Sequence, residues 1–302
     1  MKKNSIKIAK ILLIAVLCAA TALSTAGCGQ QNPSQNSSNT QSSGSTSGSG
    51  STSSNNTAGS GNASAQGSTG GKTFTVGFDA EYPPYGYKDE KGEYTGFDLE
   101  MAEAVCKLEG WTLVKQPIDW TSKDMELNSG SIDCIWNGFT INGRENDYEW
   151  SVPYVDNSQV IVVKEGSGIT KLTDLAGKTV GVQAASAAYT VLTDAEQQKS
   201  LGDTFKTLQQ FSDYNQAFTE LQAGALDALA IDIGVANYQL KSRGSGYTIL
   251  SEKLNAEQYG VGFKKGNTEL RDIINKDLKV LKEDGTVDKL AKKYEIADMV
   301  IL

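Results

Sequence analysis

The residues best placed for chemistry are Arg144, Asp232 and the acidic pair Asp79 and Glu81, which stands against Tyr82. Arg144 lies four residues after Thr140. Its planar guanidinium can grip both oxygens of a carboxylate. Asp79 and Glu81 beside an aromatic face can hold a cation by charge and cation–π attraction, or an amide by hydrogen bonds. Gln183-Ala184-Ala185-Ser186-Ala187 follows a strand pattern and precedes a helical one. It therefore places free backbone N–H groups at a helix start, where a carboxylate is favoured. The chain has no histidine, which excludes imidazole general-base chemistry and histidine-ligated metal sites. Neither a metal nor another cofactor is expected.

Each of these residues also has a plainer use. Arg144 can be a surface arginine in an exposed turn. Asp232 follows the apolar strand pattern of residues 228–231 and can cap the helix after it. Tyr82 and Trp120 are large enough to belong to the core.

The elements that must position them alternate along the chain. Strand patterns occur at residues 74–78, 132–136, 159–163, 179–182, 228–231 and 259–263. Helical patterns lie between most of them. One starts at Asp98, with Ala102, Val105 and Leu108 on one face and Gly110 at its end; others cover 215–222 and 270–281. The stretch from Tyr82-Pro83-Pro84 to Lys91-Gly92 is turn-rich. Alternation of this kind predicts mainly parallel sheets covered by helices, with ligands beyond the carboxyl ends of strands. The run Val160-Ile161-Val162-Val163 reads as a buried strand entering a second sheet, and residues 258–263 as the return to the first. Two crossings make a hinge.

Ahead of this region, Lys2, Lys3, Lys7 and Lys10 precede an apolar run over residues 11–17 and small residues up to Cys28. That is the layout of a secretory signal over residues 1–27, too short an apolar run for the ~20 residues that span a bilayer. Residues 29–71 contain no charged and no aromatic side chain. They predict a disordered tether with a reach of roughly 35 Å for Gly/Ser-like coil. Removing the four signal lysines leaves 24 basic residues against 36 acidic ones, a net charge of −12. Such a surface argues against nucleic acid and anionic membrane faces as partners. Cys106 and Cys134 fit either one disulfide or two buried thiols.

Several motifs, in order, resemble the polar amino acid family of extracellular solute-binding proteins. They are Val76-Gly77-Phe78-Asp79 with Tyr82-Pro83-Pro84-Tyr85, Gly96-Phe97-Asp98-Leu99-Glu100, Asn137-Gly138-Phe139-Thr140, Asp174-Leu175-Ala176-Gly177-Lys178, Leu226-Asp227-Ala228-Leu229-Ala230-Ile231-Asp232, Gln258-Tyr259-Gly260-Val261-Gly262-Phe263 and Asp284-Gly285-Thr286. Thr25-Ala26-Gly27-Cys28 is similar to a bacterial lipobox, with Thr25 where leucine is usual; the resemblance implies lipidation of Cys28 and a lipid anchor in the membrane.

The resemblance implies an α/β, two-lobed type II periplasmic-binding fold over residues 72–302. Lobe one would be 72–153 plus 259–302, and lobe two 159–254. The function implied is capture of a polar amino acid by hinge closure and delivery to an ABC transporter permease, by a monomer on the extracellular face of the cell membrane. Arg144 would take the ligand carboxylate, although it follows Thr140 by four residues where the family usually has five. Gln183, Ser186 and Ala187 would lie beside it. Asp232, with Asn137 and Thr140, would hold the ammonium, and the Gly138 backbone would lie close to the ligand. Tyr82 and Trp120 would sandwich the side chain, with Asp79 at its distal end. The same fold hosts dehydratases and peptidoglycan lyases, for which Glu81 or Asp79 would be the acid or base. The missing histidines and the complete set of binding residues favour binding over catalysis. A ligand-presenting sensor is the other alternative.

Overall fold

The computed structural model describes residues 71–302. The expected signal, Cys28 and all but the last tether residue lie outside the described residues.

The chain enters on β1 (Thr73–Phe78), whose Phe74, Val76 and Phe78 are fully buried. The turn-rich stretch after it folds into a small antiparallel sheet of β2 (Glu81–Tyr82), β3 (Gly86–Lys88) and β4 (Tyr94–Thr95). Gly96 then turns the chain at φ 132°, where a Cβ would lie 2.2 Å from the Tyr85 carbonyl oxygen. Helix α1 (Phe97–Glu109) follows and stops at the left-handed Gly110. Its buried face carries Ala102 and Val105, but Leu108, expected on that face, is 45 % exposed. Asp98 takes a buried place instead, for a reason found in the site. Strand β5 (Thr112–Pro117), helix α2 (Lys123–Ser129) and the short strands β6 (Cys134–Ile135) and β7 (Glu149–Trp150) complete this part of the chain.

Strand β8 (Val155–Lys164) passes into the second sheet. There follow β9 (Thr179–Gln183), α3 (Ala187–Thr193), α4 (Lys199–Gly202), β10 (Thr207–Phe211), α5 (Tyr214–Ala223), β11 (Ala228–Asp232), α6 (Ile233–Arg243), β12 (Tyr247–Ile249) and β13 (Asn255–Tyr259). The chain returns through β14 (Gly262–Phe263) and ends with α7 (Thr268–Glu283) and α8 (Thr286–Lys293).

Two sheets result, ordered β5-β1-β6-β14-β7 and β10-β9-β11-β8-β12, with β13 also paired to β8. The first takes β14 from the far end of the chain, so that lobe is closed by both ends. The sheets are mixed, not mainly parallel. β1 runs parallel to β5 and β6, and β9 parallel to β10 and β11, but the crossing strands β8, β13 and β14 enter antiparallel. A strand arriving from the other lobe approaches its new sheet from the opposite end. The strand pattern of 259–263 is likewise split, because β13 stops at Tyr259 and β14 starts at Gly262. At Gly260, between them, a Cβ would lie 2.8 Å from Ile141.

Strand β8 explains its apolar run. Val160 and Val162 pack into one buried cluster, Ile161 and Val163 into another. Burying each such side chain is worth about 1.5–3 kcal/mol, so a strand covered on both faces is a strong anchor between the lobes.

Candidate ligand-binding cleft

A narrow, nearly closed cleft lies between the two lobes. Tyr82, Trp120, Asn137, Gly138, Thr140 and Arg144 line it from the first lobe, and Gln183, Ser186, Ala187 and Asp232 from the second. Every expected binding residue is on this wall except Asp79, and Glu81 beside it is off the wall too. The Asp79 carboxylate stands one residue back, accepting from the Glu81 N–H at 2.8 Å and from Gln183 Nε2 at 2.7 Å.

Arg144 closes a tight turn in which its N–H donates to the Ile141 carbonyl at 2.9 Å. Its guanidinium packs over the Phe139 ring at 5.2 Å. It donates only to two carbonyl oxygens, those of Thr140 at 3.3 Å and Ala185 at 3.5 Å, both long. Among the described residues no carboxylate lies within 4.0 Å of it. Most of its five donors are therefore unspent, which is what a carboxylate receptor needs. Opposite it, Ser186 Oγ accepts from the Tyr189 N–H at 3.1 Å and caps α3, leaving Ala187 at the helix start beside the cleft.

Asp232 lies at the junction of β11 and α6. It occupies the cap position of α6, yet its side chain makes no cap hydrogen bond. Oδ1 accepts instead from Asn157 Nδ2 at 2.8 Å, Gln159 Nε2 at 2.7 Å and the Tyr259 hydroxyl at 2.5 Å. A second carboxylate, Glu257 on β13, lies beside it and accepts from the Thr140 hydroxyl at 2.9 Å. Burial, and then the charge on Asp232, push Glu257 up to about 7. Sequence reasoning passes over Glu257. The signal for it is its place two residues before Tyr259, on the same face of a strand.

Asn137 and Gly138 also line the cleft. Asn137 Oδ1 accepts from the Asp79 N–H at 3.0 Å. The Gly138 N–H donates to Asp98 Oδ2 at 2.6 Å, and the Tyr154 hydroxyl donates to the same oxygen at 2.8 Å. This is why Asp98 is buried, and burial pushes it up to about 7. Gly138 sits at φ 54°, with space for a Cβ only at 3.0 Å from the rings of both Tyr82 and Tyr259. Glycine is required here.

The model of the bacterial extracellular solute-binding proteins, family 3, matches residues 74–296. The chain belongs to this family. It is similar to the arginine-binding extracellular protein ArtP of Bacillus subtilis strain 168, at 34% identity over 233 residues, 75% of this chain and 87% of that one. It is also similar to the L-cystine-binding protein TcyJ of Escherichia coli strain K12, at 29% identity over 230 residues, 75% of this chain and 84% of that one. Among solved structures, an ABC uptake transporter substrate-binding protein from Streptococcus pneumoniae with bound histidine aligns with a TM-score of 0.72 and 35% identity, over 76% of this chain and 95% of that one. The family and these relatives mark the chain as a binding protein and not an enzyme, with the type II periplasmic-binding fold.

In this solute-binding protein the two wall aromatics belong to the cleft and the core together. Tyr82 is 7 % exposed and packs against Tyr85 and Tyr214, each at 6.0 Å between ring centres. Trp120 is 8 % exposed and meets Phe139 edge-on at 5.5 Å. Cys106 and Cys134 are free, buried thiols. Burial pushes Cys106 up to about 11, which leaves it inert at neutral pH. Among the described residues no helix is long and apolar enough to cross a membrane, and no acidic or cysteine cluster suits a metal.

Proposed function

We propose that this solute-binding protein captures a polar amino acid as its zwitterion, on the outer face of the membrane, and hands it to an ABC transporter permease. The observation that carries the reading is that Arg144 and Asp232 line one cleft built from both lobes. Arg144 takes the α-carboxylate through its unspent fork, next to Ser186 and Ala187. Asp232 takes the α-ammonium with the Thr140 hydroxyl, whose proton is given to Glu257 and whose lone pairs are left to accept. The similar proteins are named for arginine, cystine or histidine. Those ligands share little besides the α-ammonium and the α-carboxylate, the two groups that Asp232 and Arg144 suit.

Capture proceeds by closure of two rigid bodies, residues 72–153 with 259–302 against 159–254, about β8 and β13. Contacts that span the lobes, Asp79 with Gln183 and Glu81 with Asn215, close the side-chain end. Tyr82 and Trp120 flank the ligand side chain there, while Asp79 and Glu81, off the wall and tied to Gln183 and Asn215, favour a cationic one by charge. Lipidation at Cys28 and the tether of residues 29–71 hold the monomer at the membrane, within reach of the permease.

The reading is tested by calorimetric titration of the protein, unfolded and refolded to strip carried-over ligand, with L-arginine, L-histidine, L-cystine and L-glutamine. Saturable binding of one of them supports it, and failure of all the L-α-amino acids sinks it.

A further inference from the structure

Where the lobes cross, four polar side chains are buried around one another. Glu257 is 3 % exposed, Asp232 2 %, Asn157 4 % and Gln159 0 %. Asn157 Nδ2 donates to Asp232 Oδ1 at 2.8 Å and to Glu257 Oε1 at 2.7 Å. Gln159 Nε2 donates to the same two oxygens at 2.7 and 2.8 Å. An amide NH2 has two hydrogens, so both groups are wholly spent in holding the carboxylates at a fixed separation. Thr140 of lobe one adds a third bond to Glu257 Oε1, and the Tyr259 hydroxyl a third to Asp232 Oδ1.

Among the described residues no lysine or arginine lies within 4.0 Å of either carboxylate. A buried carboxylate pair without a cation is costly, and the arrangement is short of one positive charge. We propose that Glu257 is a positioning residue of the ammonium subsite: it fixes Asp232 through Asn157 and Gln159, places a second negative charge behind it, and ties it to Thr140 across the hinge. The inference rests on the amino acid reading above and adds to it a residue and a proton.

The proton follows from the charges. Glu257, pushed up to about 7, carries a proton in a fraction of the free molecules at neutral pH. An ammonium brought up to Asp232 favours the ionised form of Glu257, so binding expels that proton to solvent and tightens as pH rises through about 7. The other titratable groups facing Glu257 are Asp232 on β11, Tyr85 of lobe one, Tyr214 on α5 and Tyr259 on β13. Burial raises the three tyrosines, which stay neutral throughout. Asp98 and Asp79, pushed up to about 7 and about 6, also titrate here, but they do so in wild type and variant alike and cancel in the difference.

The test is Glu257→Gln in the full chain, which keeps an acceptor for Asn157 and Gln159 and removes the charge. Wild type and variant are titrated with L-arginine, L-histidine and L-cystine at pH 6, 7 and 8, in two buffers of different ionisation enthalpy. Wild type is expected to release up to about half a proton at pH 7, and the variant correspondingly less. The variant is expected to match wild type at pH 6 and to bind about tenfold more weakly at pH 8, an ordinary coupling between sites. Equal proton release and equal affinity at pH 8 overturn the inference alone. Wild type that binds but releases no proton overturns it too, whether or not the variant folds. Wild type that binds none of the three overturns the amino acid reading and this inference with it.

Discussion

Gln183, at the end of β9 in the second lobe, donates through Nε2 to Asp79 Oδ2 of the first lobe at 2.7 Å. The same nitrogen donates to the Ser212 carbonyl at 3.0 Å, so both its hydrogens are used. Asp79 is thereby engaged by the protein itself, behind the wall where the distal end of a ligand would lie. Gln183→Ala is expected to loosen closure. A hydrogen bond to a charged group is worth about 1.5–3 kcal/mol, so ligand affinity should fall about tenfold or more in calorimetric titration. Unchanged affinity would show that this bond has no part in closure.

Arg144→Ala is expected to weaken amino acid binding at least thirtyfold, since removing one partner of a buried charge contact costs about 2–5 kcal/mol. The melting temperature without ligand should hardly move, because the side chain gives up only two long bonds to carbonyl oxygens. Arg144→Lys should fall between, keeping the charge and losing the fork. Full affinity in Arg144→Ala would remove this residue from the site.

Asp232→Asn separates the binding role from the capping role. A helix cap is worth about 1 kcal/mol, but this side chain makes no cap bond. The variant should therefore keep its urea midpoint at pH 8, or raise it, because Glu257 loses a like charge beside it. Amino acid binding should fall at least thirtyfold, by about 2–5 kcal/mol. A lowered midpoint with intact binding would return Asp232 to a structural role.

Much of this was legible in the sequence, and the exceptions have a common cause. β1, β9 and β11 lie inside their sheets, where buried apolar residues give a clear pattern. The patterns leave out β5, β10 and β12, which are all edge strands, exposed at alternate or most positions. Polar side chains are tolerated at an edge, so the signal fades. Site residues at strand ends, such as Asp232 and Gln183, are marked by the motif around them. Glu257 lies in no such motif, and Asp98 lies in one that does not say where it points, because only tertiary packing decides that these carboxylates turn inward. Glu257 lies in a polar run, and Asp98 looks like an acidic residue of a first helical turn until the Gly138 N–H is seen against it.

Buried carboxylates, Asp277 raised by burial among them, also set the pH dependence of stability. Asp98 and Glu257 are pushed up to about 7 and Asp79 to about 6, each chiefly by burial, from ordinary values near 4. A raised value means that the folded state holds the proton more tightly than the unfolded one. The resulting stabilisation is full below about pH 4 and is lost as pH rises through 6 to 7. The carboxylates lowered by local hydrogen bonds, such as Asp119 and Asp284, are exposed and act in the opposite direction at lower pH. The ligand-free protein is therefore expected to melt higher at pH 5 than at pH 8, and Asp98→Asn to flatten that difference. A melting temperature that rises steadily from pH 5 to 8 would contradict the assignment.

In the proposed function Arg144 and Asp232 together recognise the carboxylate and the ammonium of an α-amino acid. The most direct test is a thermal-shift series on the refolded, ligand-free protein with the twenty amino acids, cystine and ornithine. For the best ligand, the analogue lacking the carboxylate and the analogue lacking the amino group are measured alongside. Ligand at 100 times its dissociation constant should add about 2.7 kcal/mol of stability. The account predicts a clear rise in melting temperature for one side-chain class and none for either truncated analogue; an equal rise with an analogue missing either group, or no rise with any amino acid, would contradict it.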